Sequence, residues 1–150
     1  MKNKFSKSLI FALSVVGSFG AYADCVFEVL VGDNLVFDIQ SMEVDGNCKS
    51  VSVNLIHKGN LPANIMGHNW VLSKASDLSA IANDGFSAGL DNNYLKPGDE
   101  RIIAATKVIG GGDEASVEFS IEGLSSDESY QFFCSFPGHW AVMKGSFVVK

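Results

Sequence analysis

The strongest constraint on this chain is a two-residue alternation of apolar and polar side chains, repeated in short runs. Val51, Val53 and Leu55 share one side of an extended segment, with Ser50, Ser52 and Asn54 on the other. Val117, Phe119 and Ile121 alternate in the same way with Ser116, Glu118 and Ser120. That period sends successive side chains to opposite faces of a β-strand and does not build one face of a helix. Further strands are predicted at Cys25–Val31, Leu35–Ile39, Asn69–Ser73, Ile102–Val108, Tyr130–Phe136 and Gly145–Val149. Between them stand Gly32-Asp33-Asn34, Asp45-Gly46-Asn47, Pro97-Gly98-Asp99 and Gly110-Gly111-Gly112, residue types that tolerate tight turns. Many short strands punctuated like this predict an all-β antiparallel sandwich or barrel in a single domain. One stretch departs from the pattern. Leu78, Ile81 and Ala82 recur at helical spacing within Ser76–Asn83, behind a potential Ser76 cap and ahead of Gly85. A short helical insertion is therefore expected near residues 76–88.

The first 23 residues are set apart from that domain. Lys2, Lys4 and Lys7 open the chain, Leu9 to Phe19 is apolar or small, and Ala21-Tyr22-Ala23 is a small-x-small cleavage pattern. This is the layout of a secretory signal peptide, too short and wrongly flanked for a stable membrane span. Cleavage after Ala23 leaves residues 24–150 as the domain. It removes three of the 11 basic residues and none of the 17 acidic ones, so the remaining charge is 8 − 17 = −9. An acidic chain with no basic face excludes nucleic-acid binding. A periplasmic location is expected.

Export changes how the cysteines read. Cys25, Cys48 and Cys134 allow one disulfide and one remaining thiol in an oxidising compartment. Cys25 opens the exported chain and Cys48 follows a turn, so their bridge would tie down the N-terminus and leave Cys134 over. A free thiol in that compartment needs something to hold it.

Four residues supply a reason. Cys134, His139 and Met143 fall in a C-x4-H-x3-M pattern around the Pro137-Gly138 bend, and His68 stands upstream in Gly67-His68-Asn69-Trp70. One thiolate, two imidazoles and one thioether form a soft, mixed donor set. Zinc rarely uses Met, whereas two His and one Cys with a weak axial Met describe a blue-copper electron-transfer site. His57 continues the inward side of Val51, Val53 and Leu55, so it reads as a core or near-site histidine instead of a further ligand.

The same stretches resemble the azurin branch of the cupredoxin family. The likeness runs through Gly59-Asn60-Leu61-Pro62, Met66 to Leu72, Gly89-Leu90-Asp91, Tyr94 to Pro97, and Phe132 to Gly145. It implies a Greek-key β-sandwich with a helical flap and one type 1 copper ion cycling between Cu(I) and Cu(II). It implies His68, Cys134 and His139 as equatorial ligands, with Met143 and the carbonyl of Gly67 as weak axial ones. Backbone N–H groups of Asn69 and Phe136 would hydrogen-bond the Cys134 sulfur, and the Cys25–Cys48 bridge would lie at the opposite end. An apolar patch of Leu61, Ile65, Met66, Phe136, Pro137, Ala141 and Val142 would surround the His139 edge, with Trp140 on its rim. Redox proteins such as c-type cytochromes, oxidoreductases or reductases would dock there on a monomer. Two residues depart from the family pattern: Lys58 stands where Pro is common, and Trp140 where a small residue is usual.

Two other functions fit parts of the pattern. Cys134 and His139 could form a thiol–imidazole dyad of an enzyme, but no orienting Asn or Asp lies near them in sequence and Met143 would have no role. Copper storage or delivery usually draws on Met- and His-rich runs, and the chain has only 4 Met. Electron transfer without substrate chemistry is the reading that uses every residue of the motif.

Overall fold

The computed structural model describes residues 25–150; the expected signal peptide lies outside the described residues. Two sheets face each other. The smaller has the order β1-β3-β6, from β1 (Val26–Val31), β3 (Ser50–His57) and β6 (Glu114–Ser120). The larger is β2-β8-β7-β4-β5, from β2 (Ser41–Val44), β8 (Lys144–Val149), β7 (Tyr130–Phe133), β4 (Val71–Lys74) and β5 (Ile102–Ala105). The expected two-layer sandwich is present, but its sheets are mixed. β1 runs parallel to β3, and β2 parallel to β8, while the other pairs are antiparallel. The chain crosses to the other sheet for β2 before returning beside β1, so β1 and β3 point the same way.

Alternation predicted β3 well. Its burial follows a strict two-residue rhythm, with Val51, Val53, Leu55 and His57 buried. Facing them are Met42, Val44, Leu72, Phe132 and Phe147, all fully or nearly fully buried. Trp70 stacks on Phe132 at 5.8 Å between ring centroids and lies 5.9 Å from Phe119, so large aromatic surfaces fill the layer between the sheets.

The strand expected at Leu35–Ile39 does not form. Only Phe37 is fully buried there; Leu35 and Val36 are exposed, and the segment bends back so that Asp38 Oδ1 accepts the Leu30 N–H at 2.7 Å. Two apolar neighbours cannot both face one core. The true edge strand, β2, comes next and was not anticipated, because four residues give too few alternations to read. Two other predicted strands stop early, β5 at Ala105 and β7 at Phe133.

The helical insertion is α2 (Leu78–Phe86), preceded by a four-residue helix α1 (Ala63–Met66) that the sequence pattern did not reveal. Asp77, not Ser76, occupies the N-cap position, and neither caps with its side chain. The helix runs through Gly85 because that residue faces the chain at Tyr94: a Cβ there would lie 2.1 Å from the Tyr94 carbonyl oxygen. Glycine allows this close approach rather than ending the helix. Leu78, Ile81 and Ala82 bury their side chains against Val71 and Phe133, with half-buried Trp140 packed beside them.

Cys25 and Cys48 form the expected disulfide, 23 residues apart in sequence with Cα atoms 5.9 Å apart. The register from Val26↔Ser52 to Val31↔His57 puts this bridge at one end of the β1–β3 pair and His57 at the other.

Candidate metal centre

His57 stacks on His68 with ring centroids 5.1 Å apart, and His68 lies 5.1 Å from the His139 ring. The end of the sandwich away from the disulfide thus collects all three histidines and the free Cys134, each less than a tenth exposed.

His68 enters through a two-way backbone bridge with Ile109, at 3.0 and 2.9 Å, just before β4. Cys134 follows the last residue of β7. β4 and β7 are antiparallel neighbours, with Val71 opposite Phe133, so the two ligand-type residues leave adjacent strands on the same side. The chain then turns at Pro137-Gly138. Gly138 has φ 82°, the left-handed conformation a type II turn needs at that place, and His139 N–H donates to the Phe136 carbonyl at 3.0 Å. Met143 returns with its N–H on the His139 carbonyl at 2.8 Å, and its carbonyl accepts the Cys134 N–H at 3.1 Å. This loop folds His139 back over Cys134 and buries Met143.

The hydrogen bonds decide which ring atoms are free. His68 Nε2 donates to the Gly32 carbonyl at 2.8 Å, leaving its Nδ1 as the lone-pair nitrogen on the Cys134 side. That Nδ1 lies 3.8 Å from Cys134 Sγ, and His139 Nδ1 lies 3.6 Å from it. All three donor atoms fall within 4.8 Å of one another. On bond lengths of about 2.0 Å to nitrogen and 2.3 Å to sulfur, with zinc as the scale, two donors of a trigonal ion sit about 3.7 Å apart. The measured separations match that spacing, so the donor set fits one ion. His57 is excluded from the set: its Nδ1 accepts the Gly59 N–H at 3.0 Å and its Nε2 donates to the Met66 carbonyl at 3.0 Å.

Burial sets the electrostatics. Desolvation pushes the Cys134 thiol up to about 12 in the metal-free protein, against a smaller downward pull from the backbone N–H groups of Asn69 and Phe136. Desolvation also lowers His139 to about 4, helped by neighbouring His68. His68 is lowered mainly by desolvation, and the Gly32 carbonyl opposes the shift. The site disfavours net charge when metal-free, yet its donors converge. A positive ion compensates a thiolate there that water cannot reach.

The expected patch is partly exposed. Ile65 and Val142 are 57% and 63% exposed, Ala141 is exposed, Leu61, Met66 and Pro137 are half-buried, and Phe136 is nearly buried against His139 at 4.6 Å between rings. Trp140 turns toward α2. Sequence reading missed the supporting residues. Asp33 accepts the N–H groups of Asn60 and Leu61, which hold its carboxyl below the usual range. Ser135 and Asn93 join Asn69 beside the site. The polar Asp91-Asn92-Asn93 run was the available signal, and it marks any turn equally well.

A two-sheet β-sandwich with one buried thiolate-type and two imidazole donors at one end defines a copper-binding electron-transfer domain. Residues 23–150 match the family described as copper binding proteins, plastocyanin/azurin family. An azurin of Pseudomonas chlororaphis is 52% identical over 128 residues, covering 85% of this chain and all of that protein. An azurin of Bordetella pertussis is 47% identical over 143 residues, covering 93% and 95%. A solved azurin (Az-iso2) structure from Methylomonas sp. strain J superposes with a TM-score of 0.82 at 44% identity, covering 85% of this chain and 99% of that one. The chain belongs to the plastocyanin/azurin family of copper-binding proteins. It binds one copper ion and carries electrons between redox proteins; it is not an enzyme.

Proposed function

We propose that His68, Cys134 and His139 would hold the copper ion through two Nδ1 atoms and one Sγ, with Met143 and the Gly67 carbonyl as further, weak donors. The observation that carries this reading is the pair of 3.6 and 3.8 Å separations between Cys134 Sγ and the two Nδ1 atoms. Copper supplies a one-electron couple there.

The protein's part is to keep the donors still and dry. The Gly32 carbonyl fixes the His68 ring, and the Ile109 bridge fixes its backbone. Burial around Phe132 and Phe136 disfavours the more highly charged oxidised state, and N–H groups on the sulfur withdraw charge from it; both raise the potential. A shell that need not rearrange lets an electron pass with little structural change. The exit is the His139 ring, whose loop carries exposed Val142 and Ala141. An apolar rim with few charges suits brief docking of redox proteins such as c-type cytochromes.

Export to the periplasm completes the proposal. The signal-like first 23 residues, the family match that opens at residue 23 and a disulfide at Cys25–Cys48 support it. Among the described residues, no helix is long and apolar enough to cross a membrane.

Visible and electron paramagnetic resonance spectra of the purified exported form, loaded with copper, test the ligand set. An intense blue band with the narrow copper splitting of a thiolate site is expected. A colourless copper-loaded protein overturns the assignment.

A further inference from the structure

The two strands that carry His68 and Cys134 stop pairing through their backbones just where the site begins. Val71 faces Phe133 at the end of the ladder, and continuing that register past Trp70 and Cys134 sets Asn69 opposite Ser135. Their contact is made by side chains. Asn69 Oδ1 accepts the Ser135 N–H at 2.8 Å, and Asn69 Nδ2 donates to Ser135 Oγ at 2.8 Å. Both residues are at most 1% exposed.

A third segment closes this gap from outside the sheet. The carbonyl of Asn93 accepts Asn69 Nδ2 at 3.1 Å and Ser135 Oγ at 3.0 Å. Its side-chain Oδ1 accepts the Val108 N–H at 2.8 Å, immediately before Ile109, which bridges to His68. One residue thus holds the neighbours of His68 on two sides and the neighbour of Cys134 on a third. Asn93 does this in a left-handed conformation, φ 56° and ψ 28°, which Asn tolerates better than most residues. Tyr94 follows at φ 51° and sets its ring edge-on against Phe136, 5.1 Å away. Two successive left-handed non-glycine residues store strain that the surrounding bonds must hold.

We propose that Asn93 is a positioning residue for the copper site, clamping the His68 and Cys134 segments at fixed separation through Asn69, Ser135 and Val108. The proposal rests on the ligand assignment above. Its consequence runs through the Asn69 N–H, one of the two backbone groups that pull the Cys134 thiol downward against its burial. Slack in the Asn69 segment weakens that pull, leaves more charge on the thiolate and favours the oxidised ion.

The test uses the full exported chain with Asn93→Gly, which keeps the left-handed backbone and deletes only the side-chain acceptor. In metal-free protein, exchange of the Val108 amide should quicken by roughly two- to tenfold, the factor one net hydrogen bond supports. In copper-loaded protein, the reduction potential should fall and the copper splitting should change. Asn93→Asp, which restores the acceptor, should return Val108 exchange and the copper splitting toward wild type. Quicker exchange with potential and splitting unchanged would overturn the proposal and leave Asn93 a turn residue. So would failure of Asn93→Asp to restore either readout. A wild type without a blue band would instead sink the ligand assignment, while the metal-free exchange result would still be read separately.

Discussion

The two ends of the sandwich treat the same residue type in opposite ways. At one end Cys25 and Cys48 bond to each other across 23 residues. At the other, Cys134 is fully buried, without a bonded partner, 3.6 and 3.8 Å from two imidazole nitrogens. β1 and β3 run from the first end to the second, so one rigid pair of strands connects them. The disulfide end gains stability from a covalent link that restricts the unfolded chain. The metal end gives up stability by burying titratable groups and gains a fixed donor geometry. This division predicts that the disulfide can be removed without disturbing the metal end.

The largest effect that would break this division comes from Cys134→Ser. It should abolish the blue absorption while metal-free thermal unfolding stays cooperative, since a copper–thiolate bond is the source of such a band. Loss of the fold along with the colour would mean the thiol also carries the core.

Next in size is the double change Cys25→Ser with Cys48→Ser. Unfolding in denaturant should lose about 3 kcal/mol, the entropy of a loop of this length. The visible spectrum should stay the same; a shifted band would show the two ends to be coupled.

Acid sharpens the comparison further. In metal-free protein the His139 pKa is about 4, below its ordinary 6.5. Between those values the unfolded chain binds more protons, so the stabilising contribution is complete above the unfolded pKa and is lost as pH falls through that window. His68, lowered as well, adds in the same direction. Metal-free melting temperatures should therefore fall from about pH 6.5 to about pH 4, reading the window from these shifts. The disulfide double variant should show the same slope from a lower start. A slope that vanished in that variant would place its origin at the wrong end.

The smallest expected effect is at Met143. Met143→Leu should keep the blue band and raise the reduction potential, because a weak donor to the oxidised ion is replaced by an apolar side chain. Loss of copper in that variant would make Met143 a strong ligand.

Lys58 illustrates a departure whose consequence is local. Where a proline would have no N–H, Lys58 N–H donates to the Val31 carbonyl at 2.8 Å and extends the β1–β3 pairing by one bond at the metal end. Trp140 is the other departure, and its ring shares the cluster of Val71, Leu78, Ile81, Ala82 and Phe133 instead of standing free. It packs the loop between Cys134 and Met143 against α2, a contact that adjacency to His139 in sequence could not suggest.

What the sequence by itself determined is what local chemistry controls. Alternation predicted β3 and β6, because one buried face imposes a period of two. The C-x4-H-x3-M spacing around Pro137-Gly138 predicted a loop that returns His139 to Cys134, because that turn is a local conformation. Export and an odd cysteine pointed to a held thiol. Tertiary structure alone decided the rest. It set β1 parallel to β3, turned Leu35–Ile39 into a bend around Phe37, and hid a four-residue β2 in an edge position. It also brought Gly32, Asn93 and Ser135 to the site from three separate segments. Their roles are carried by backbone carbonyls, amides and short polar side chains, groups that leave no distinctive pattern along the chain. Only the packing of the two sheets makes them neighbours.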